Sequence, residues 1–340
     1  MTLAGPVEES DIEAEFDSQG GGKKRRKIST GEGRLAIMLI APTIILLGLV
    51  VGYPIVKAIY QSFLTDSGLT STGFFDAGNK WNGLTNYKYW LLEQCPTTTG
   101  GTEHCPPGTL GSEFWSSVEI TLFFAFVTVV FETIIGMGFA LVMHKAFRGR
   151  AIVRAVILIP WAIPTAVTSK LWGVIFDPQG ILNHLLGTQI QWTSDTWPAR
   201  FAIIIADTWK TTPFIALLIL AGLQGIPAEL YESAKIDGAN AWQRFIRITL
   251  PLVKPALAVA VIFRALDALR MYDLPFILTH GANGTTTLSI LVVDQLTSKQ
   301  NSASALSTLT FIIIFAISLL LVRLFNANIV GAQKPSKKGR

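Results

Sequence analysis

Six long apolar runs constrain this chain more than any other feature. They fall at roughly Leu35–Phe63, Val118–Met143, Ala151–Phe176, Ala199–Leu223, a stretch that begins near Pro251 and fades near Thr279, and Ala305–Phe325. A helix needs about 20 apolar residues to cross the hydrocarbon core of a bilayer, and each run is of that order. Half of the 340 residues are hydrophobic and only 15% are charged, whereas a soluble domain carries about 25% charge. The runs are long and continuous rather than short and alternating, so no spanning strands are needed to explain them. The expected fold is an all-α membrane protein with six transmembrane helices, the third carrying Pro160 and Pro164.

The net charge of +5 does not point to nucleic acid, because of where it sits. Lys23, Lys24, Arg25, Arg26 and Lys27 precede the first apolar run, and Lys334, Lys337, Lys338 and Arg340 follow the last. Basic clusters that flank spans are the orientation signal of a membrane protein. The loop after the second run holds Lys145, Arg148, Arg150 and Arg154 with no acid, whereas residues 65–117 hold only Lys80 and Lys88 against five acids. Both termini and the loops at 144–154 and 224–250 are therefore expected in the cytoplasm, in a multi-pass protein of the cytoplasmic membrane. Residues 1–33 read as a disordered cytoplasmic tail, 34–326 as the membrane domain and 327–340 as a second tail. The loop 65–117 is the large external segment, rich in Gly, Thr, Trp and Tyr, and is expected to form a small cap. It contains both cysteines, Cys95 and Cys105. On the oxidising side of a membrane these two can close a disulfide; two free thiols are the alternative.

The loop between the fourth and fifth runs has a pattern of its own. Pro227 precedes a short amphipathic stretch, Ala228–Ile236, and Gly238 stands where a helix ending in a left-handed residue would place it. A second amphipathic stretch, Ala241–Ile248, leads to Pro251, a residue suited to opening the next helix. Two short helices about a glycine turn form either a protruding knob or an interfacial loop lying on lipid.

Spacing separates these readings. Glu232, Ala234, Gly238, Ile248 and Leu250-Pro251 resemble the EAA signature of permease subunits of binding-protein-dependent ABC importers, with Ser233 in place of the usual first alanine. The resemblance implies the type I ABC importer permease fold, in which this loop forms coupling helices seated in a groove of an ATPase subunit. Glu232 would then pair with a basic residue of that ATPase, and Ser233, Ala234, Asp237, Gly238, Ile248 and Pro251 would complete the element. Asp237-Gly238-Ala239, the stretch Phe263–Asp273, Leu278–Gly281, Trp209–Phe214 and Ile159-Pro160 look like carbohydrate-importer permeases. Within that group the chain is most similar to the first permease subunit of actinobacterial trehalose importers, and less so to maltose and glycerol-phosphate permeases. The implied partners are a second permease subunit in a heterodimer, two ATPase subunits and an extracytoplasmic solute-binding protein, with a sugar as cargo. The chain has no G-x-x-x-x-G-K-[ST] loop, so it is expected to be non-enzymatic and without a cofactor. ATP and Mg would reside on the partner subunits.

Charges inside spans are costly and are functional candidates by default. Arg264, Asp267, Arg270 and Asp273 recur every third residue with alternating sign, Asp207 and Lys210 lie beside Trp209 and Thr211, and Glu132 stands alone among apolar residues. One reading is a polar route for a hydroxyl-rich solute, with Trp161, Trp209 and Tyr272 stacking on sugar rings. The other is interhelical salt bridges that fix packing. Asp207, Lys210 and Thr211 are the stronger candidates, because the resemblance places sugar contacts at comparable depth. A secondary transporter would instead show internal repeats or broken helices at the midplane. A membrane-embedded enzyme would need a metal or nucleophile constellation, and His104, His144, His184 and His280 lie far apart in sequence.

Overall fold

All six apolar runs form helices, but two of them change shape. The computed structural model describes residues 30–69, 75–76, 78–97 and 101–332. The first helix, α1 (Thr30–Leu47), passes through one π turn, Gly48–Gly52, into α2 (Tyr53–Gln61). Its apolar stretch is Ile37–Gln61. Most of the tail expected at 1–33 lies outside the described residues.

The external segment carries the only strands among the described residues. β1 (Gly68–Leu69) pairs with β2 (Phe75–Asp76), α3 follows at Thr85–Leu91, and β3 (Gln94–Pro96) pairs antiparallel with β4 (Thr102–His104). Cys95 and Cys105 are joined as a disulfide across this second hairpin. Asn86 Nδ2 donates to the carbonyls of Ser62 (2.9 Å) and Leu64 (2.8 Å), which pins the entry to the segment.

The spans follow: α4 (Phe114–His144), α5 (Arg150–Ala162), α6 (Thr165–Ile175), the short α7 (Ile181–Leu186) and α8 (Thr196–Gln224). After α8 come α9 (Ala228–Ile236), α10 (Ala241–Arg244), a π turn at Phe245–Thr249, α11 (Leu250–Ala268), α12 (Asp273–Thr279), α13 (Leu288–Ser298) and α14 (Gln300–Ala332). α14 therefore runs on through 327–332, where the second tail was expected. The external segment docks on the start of α14. The Asp66 carboxylate accepts from the backbone N–H of Asn301 (2.5 Å) and Ser302 (3.0 Å), satisfying donors that a helix leaves free at its N-terminus and complementing its dipole. Trp90 is fully buried beside it and donates Nε1–H to the Ser302 carbonyl at 3.1 Å.

This arrangement predicts a local effect of the disulfide. Closing a loop of about ten residues constrains the open state by about 2–3 kcal/mol. Cys95→Ser or Cys105→Ser should therefore speed amide exchange across 94–104 by one to two orders of magnitude, while α4 and α8 amides keep their protection. Hydrogen exchange read by mass spectrometry checks both halves.

The core lies between α4, α8 and α11. One cluster gathers Ile120 and Phe124 with Ile203, Ala206 and Leu274; a second gathers Met137, Ala140 and Met143 with Ile215, Ile219 and Val253. In lipid there is little hydrophobic drive between helices, so close approach through small residues carries packing. Gly222 lies against Ala256 with no space for a Cβ, and at Gly136 a Cβ would press tightly on Ile215.

The third predicted span, Ala151–Phe176, is not one straight helix. α5 and α6 meet at a 94° bend. Pro164 lacks an N–H, and it drives the preceding Ile163 out of the helical region (φ −79°, ψ 131°). Pro160, only four residues earlier, stays inside α5.

The fifth span also differs from expectation. Pro251 does not open a new helix, because Ala241–Ala268 is continuous. The π turn directly before Pro251 widens the backbone, with Leu250 N–H bonding to the Phe245 carbonyl, and so absorbs the proline. At the other end the helix stops at Ala268, and Arg270 and Met271 N–H turn back to the carbonyls of Asp267 and Ala268. The residues out to Thr279 form the separate helix α12. The apolar α13 was not anticipated, since eleven residues are too few to span a bilayer.

Candidate functional site

The break at Ile163-Pro164 leaves a carbonyl at the end of α5 with no helical partner. Lys210, on α8, donates Nζ–H to the Ile163 carbonyl at 2.7 Å, a cation on the negative end of a helix dipole. Lys210 therefore does not form the pair with Asp207 that their spacing suggested.

Asp207 turns instead to Arg264. The Arg264 side chain is 2% exposed, and it binds three acids at once. Its Nε donates to Glu132 Oε2 at 2.5 Å and its Nη2 to Glu132 Oε1 at 3.0 Å. Nη2 also donates to Asp207 Oδ2, and Nη1 donates to Asp267 Oδ2 at 3.0 Å. A planar guanidinium can fork this way, and an ammonium cannot. Thr211 adds its hydroxyl, 2.5 Å from Glu132 Oε1 and 2.7 Å from the Asp207 carbonyl. The cluster ties α4, α8 and α11 together. Of the alternating stripe only Arg264 and Asp267 share a helical face; Arg270 and Asp273 lie beyond the end of α11.

The cluster has a dry side and an open side. Glu132 is fully buried and Asp207 nearly so, whereas the Asp267 side chain is 68% exposed. The open side borders a cavity of about 130 Å³ lined by Asp207, Lys210, Thr211, Arg264, Asp267 and Arg270, with Thr165 and Tyr272 at its edge. Arg270 also lines a second groove, of about 460 Å³, where Ser289, Ser307, Thr310 and Ser318 supply hydroxyls from α13 and α14. Thr310 and Ser318 donate their protons to the carbonyls of Leu306 and Ile314, so each oxygen can still accept a hydrogen bond. Sequence reasoning missed this row because scattered serines and threonines on an apolar helix are common; the one signal was their recurrence along α14.

Five predicted pathway residues thus converge on one cavity, and two do not. Trp161 stacks on Phe214 with ring centroids 5.8 Å apart, and Trp209 meets Trp172 edge-on, also at 5.8 Å. Trp209 borders an apolar groove of about 790 Å³ with Phe201 and Pro213, not the polar cavity.

The second feature is the knob formed by α9 and α10. Its turn is a Schellman motif: Gly238 N–H bonds the Lys235 carbonyl (3.1 Å), Ala239 N–H bonds the Ala234 carbonyl (2.9 Å), and Gly238 takes φ +77°. A capping box starts α10, with Gln243 N–H to Asn240 Oδ1 (2.9 Å) and Asn240 N–H to Gln243 Oε1 (2.8 Å). Tyr231 Oη and Thr249 Oγ1, 3.0 Å apart, connect the two arms. Glu232, Ser233, Asp237, Gly238 and Pro251 are exposed, and Ala234 and Ile248 are half-buried. Ile236 is 87% exposed and Trp242 70% exposed on the same knob. Neither had been singled out, although a large apolar residue in a charged loop is a signal for a docking face.

Comparison with known proteins identifies the setting of these features. Residues 132–331, more than half of the chain, match the family described as Binding-protein-dependent transport system inner membrane component. The chain belongs to this family. It is therefore an integral inner-membrane protein, a permease component and not an enzyme. It is 36% identical over 307 residues to the trehalose transport system permease protein SugA of Mycobacterium tuberculosis, covering 89% of this chain and 92% of that one. It is 43% identical over 219 residues to the trehalose/maltose transport system permease protein MalF of Thermococcus litoralis, covering 62% and 74%. The fold of the family is equally evident in three dimensions. A solved bacterial ABC transporter involved in the import of the acidic polysaccharide alginate superposes with a TM-score of 0.71 at 20% identity, over 87% of this chain and 96% of the other.

Proposed function

We propose that this chain is one permease subunit of an ATP-driven importer for a sugar, trehalose being the cargo its relatives favour. The observation that carries the transport reading is mechanical. An exposed, internally braced knob continues without interruption from Ala241 to Ala268, and Arg264 near the far end of that helix grips two other spans. A push on the knob is thereby delivered to the bundle. The knob faces the cytoplasm, a reading the basic loops support, and docks on an ATPase subunit through Ile236, with Glu232 paired to a basic group there. A second permease subunit, a second ATPase and an external solute-binding protein complete the assembly.

The solute route follows from the split in the charge cluster. Glu132, Asp207 and Arg264 hold the spans together, so the packing reading applies to them. Asp267, Arg270 and the hydroxyl row on α13 and α14 line the polar cavity and the adjoining groove and suit a hydroxyl-rich, uncharged solute. Exposed intramembrane charge is too costly to leave against lipid, which supports a reading in which this face meets the partner permease and the route lies between them.

Uptake of labelled trehalose by cells expressing the whole importer tests the reading. Arg270→Ala should raise the concentration for half-maximal uptake about tenfold, the worth of a charged hydrogen bond, with the complex still assembled. Unlabelled trehalose should compete better than maltose or glycerol phosphate. Trehalose uptake that persists when the chain is deleted would contradict the assignment.

A further inference from the structure

A groove of about 830 Å³ runs between the last turns of α4 and the knob. Its walls are apolar, formed by Ile134, Met137 and Leu141 on one side and Leu250 and Leu257 on the other. Gly138 leaves the α4 wall bare: a Cβ there would meet nothing within 4 Å. At the mouth stand Lys145 and Arg244, with Trp242 and Tyr231 beside them. Both charged residues that line the groove are cations, and no acid lines it.

The groove's length matches its polarity. It follows α4 from Thr133 to Lys145, about 18 Å at 1.5 Å per residue. One leaflet of a hydrocarbon core is about 15 Å deep. The apolar walls occupy that depth, and the cations lie only at the end beside the knob. Arg244 is held in place there, donating Nη1–H to the Ala239 carbonyl at 2.6 Å. An aromatic ring, a phenol and two cations at the mouth of a leaflet-deep apolar channel have the chemistry of a lipid headgroup site.

We infer that this groove binds an anionic phospholipid of the leaflet beside the knob, with acyl chain along α4 and phosphate between Lys145 and Arg244. The inference rests on the reading of the knob as cytoplasmic. It makes the lipid a brace between the ATPase-docking element and the second span, at the point where coupling force enters the membrane.

The test uses the assembled importer in vesicles containing either brominated phosphatidylglycerol or brominated phosphatidylcholine. Bromine quenches nearby tryptophan, and the part of the quenching lost in a Trp242→Phe variant reports the groove. That part should be reached at a several-fold lower mole fraction of phosphatidylglycerol than of phosphatidylcholine. One cation near an anionic surface is worth about fivefold in affinity, so Lys145→Gln should reduce the preference about fivefold. Gly138→Leu should diminish the Trp242 quenching by either lipid. Equal quenching by the two lipids would overturn the proposal, as would a preference unaffected by Lys145→Gln. No quenching of Trp242 by either would also overturn it, showing the groove filled by a partner subunit. Failure of the coupling reading looks different: normal uptake by a Gly238→Trp variant would refute that reading while leaving any lipid preference intact.

Discussion

Replacing Arg264 with methionine should lower the stability of the folded chain by about 3–5 kcal/mol, the cost of stripping a buried ion cluster of its cation. Glu132 is fully buried and Asp207 nearly so, so neither can regain water when the guanidinium is gone. The Thr211 hydroxyl remains on Glu132 but carries no charge. Arg264→Lys should fall between, because an ammonium keeps the charge yet cannot fork to Glu132, Asp207 and Asp267 together. The triple variant Arg264→Met, Glu132→Leu, Asp207→Leu should recover much of the loss, since a well-packed apolar trio often matches a buried ion cluster in stability. Thermal unfolding of the purified chain in detergent, followed by the tryptophans, ranks the four proteins. An Arg264→Met variant as stable as the parent would show that the cluster does not hold the spans together.

The parts of this architecture that can be read along the chain are those governed by local rules. Six apolar runs form helices because lipid leaves a backbone no other partner. The Schellman turn was visible in Gly238, and the Arg264–Asp267 pair in a spacing of three. What the chain does not display is which partner each group finds across space. Pro160, Pro164 and Pro251 have the same local chemistry and three different outcomes: an unbroken helix, a 94° bend and a π turn. The bend is stabilised by Lys210, 47 residues away from Ile163, and nothing in the spacing of Asp207 and Lys210 signals that they will turn apart. Glu132 looked solitary because its cation lies 132 residues further on. Arg270 and Asp273 appeared to continue a helical stripe that in fact ends at Ala268, where two backbone N–H groups turn back on the last carbonyls.

The larger functional effect should come from the knob. Gly238 sits at φ +77°, a conformation costing a side chain about 1–2 kcal/mol. A Cβ added there would meet nothing within 4 Å. Gly238→Ala should therefore strain the turn only modestly and leave transport largely intact. Gly238→Trp projects a large ring from the same open position into whatever docks against Ile236. The fold and the external solute-binding step should survive, because the knob is remote from the cluster and from the polar cavity. Transmission should not survive. Glu232→Ala should weaken the same junction by less, through loss of one ion pair at a rim.

The most direct measurement is sugar uptake alongside ATP hydrolysis in the assembled importer carrying Gly238→Trp. If the knob couples the two, uptake should fall at least a hundredfold, and hydrolysis should lose its stimulation by the loaded solute-binding protein, which still captures sugar normally. Normal uptake by Gly238→Trp would contradict the account.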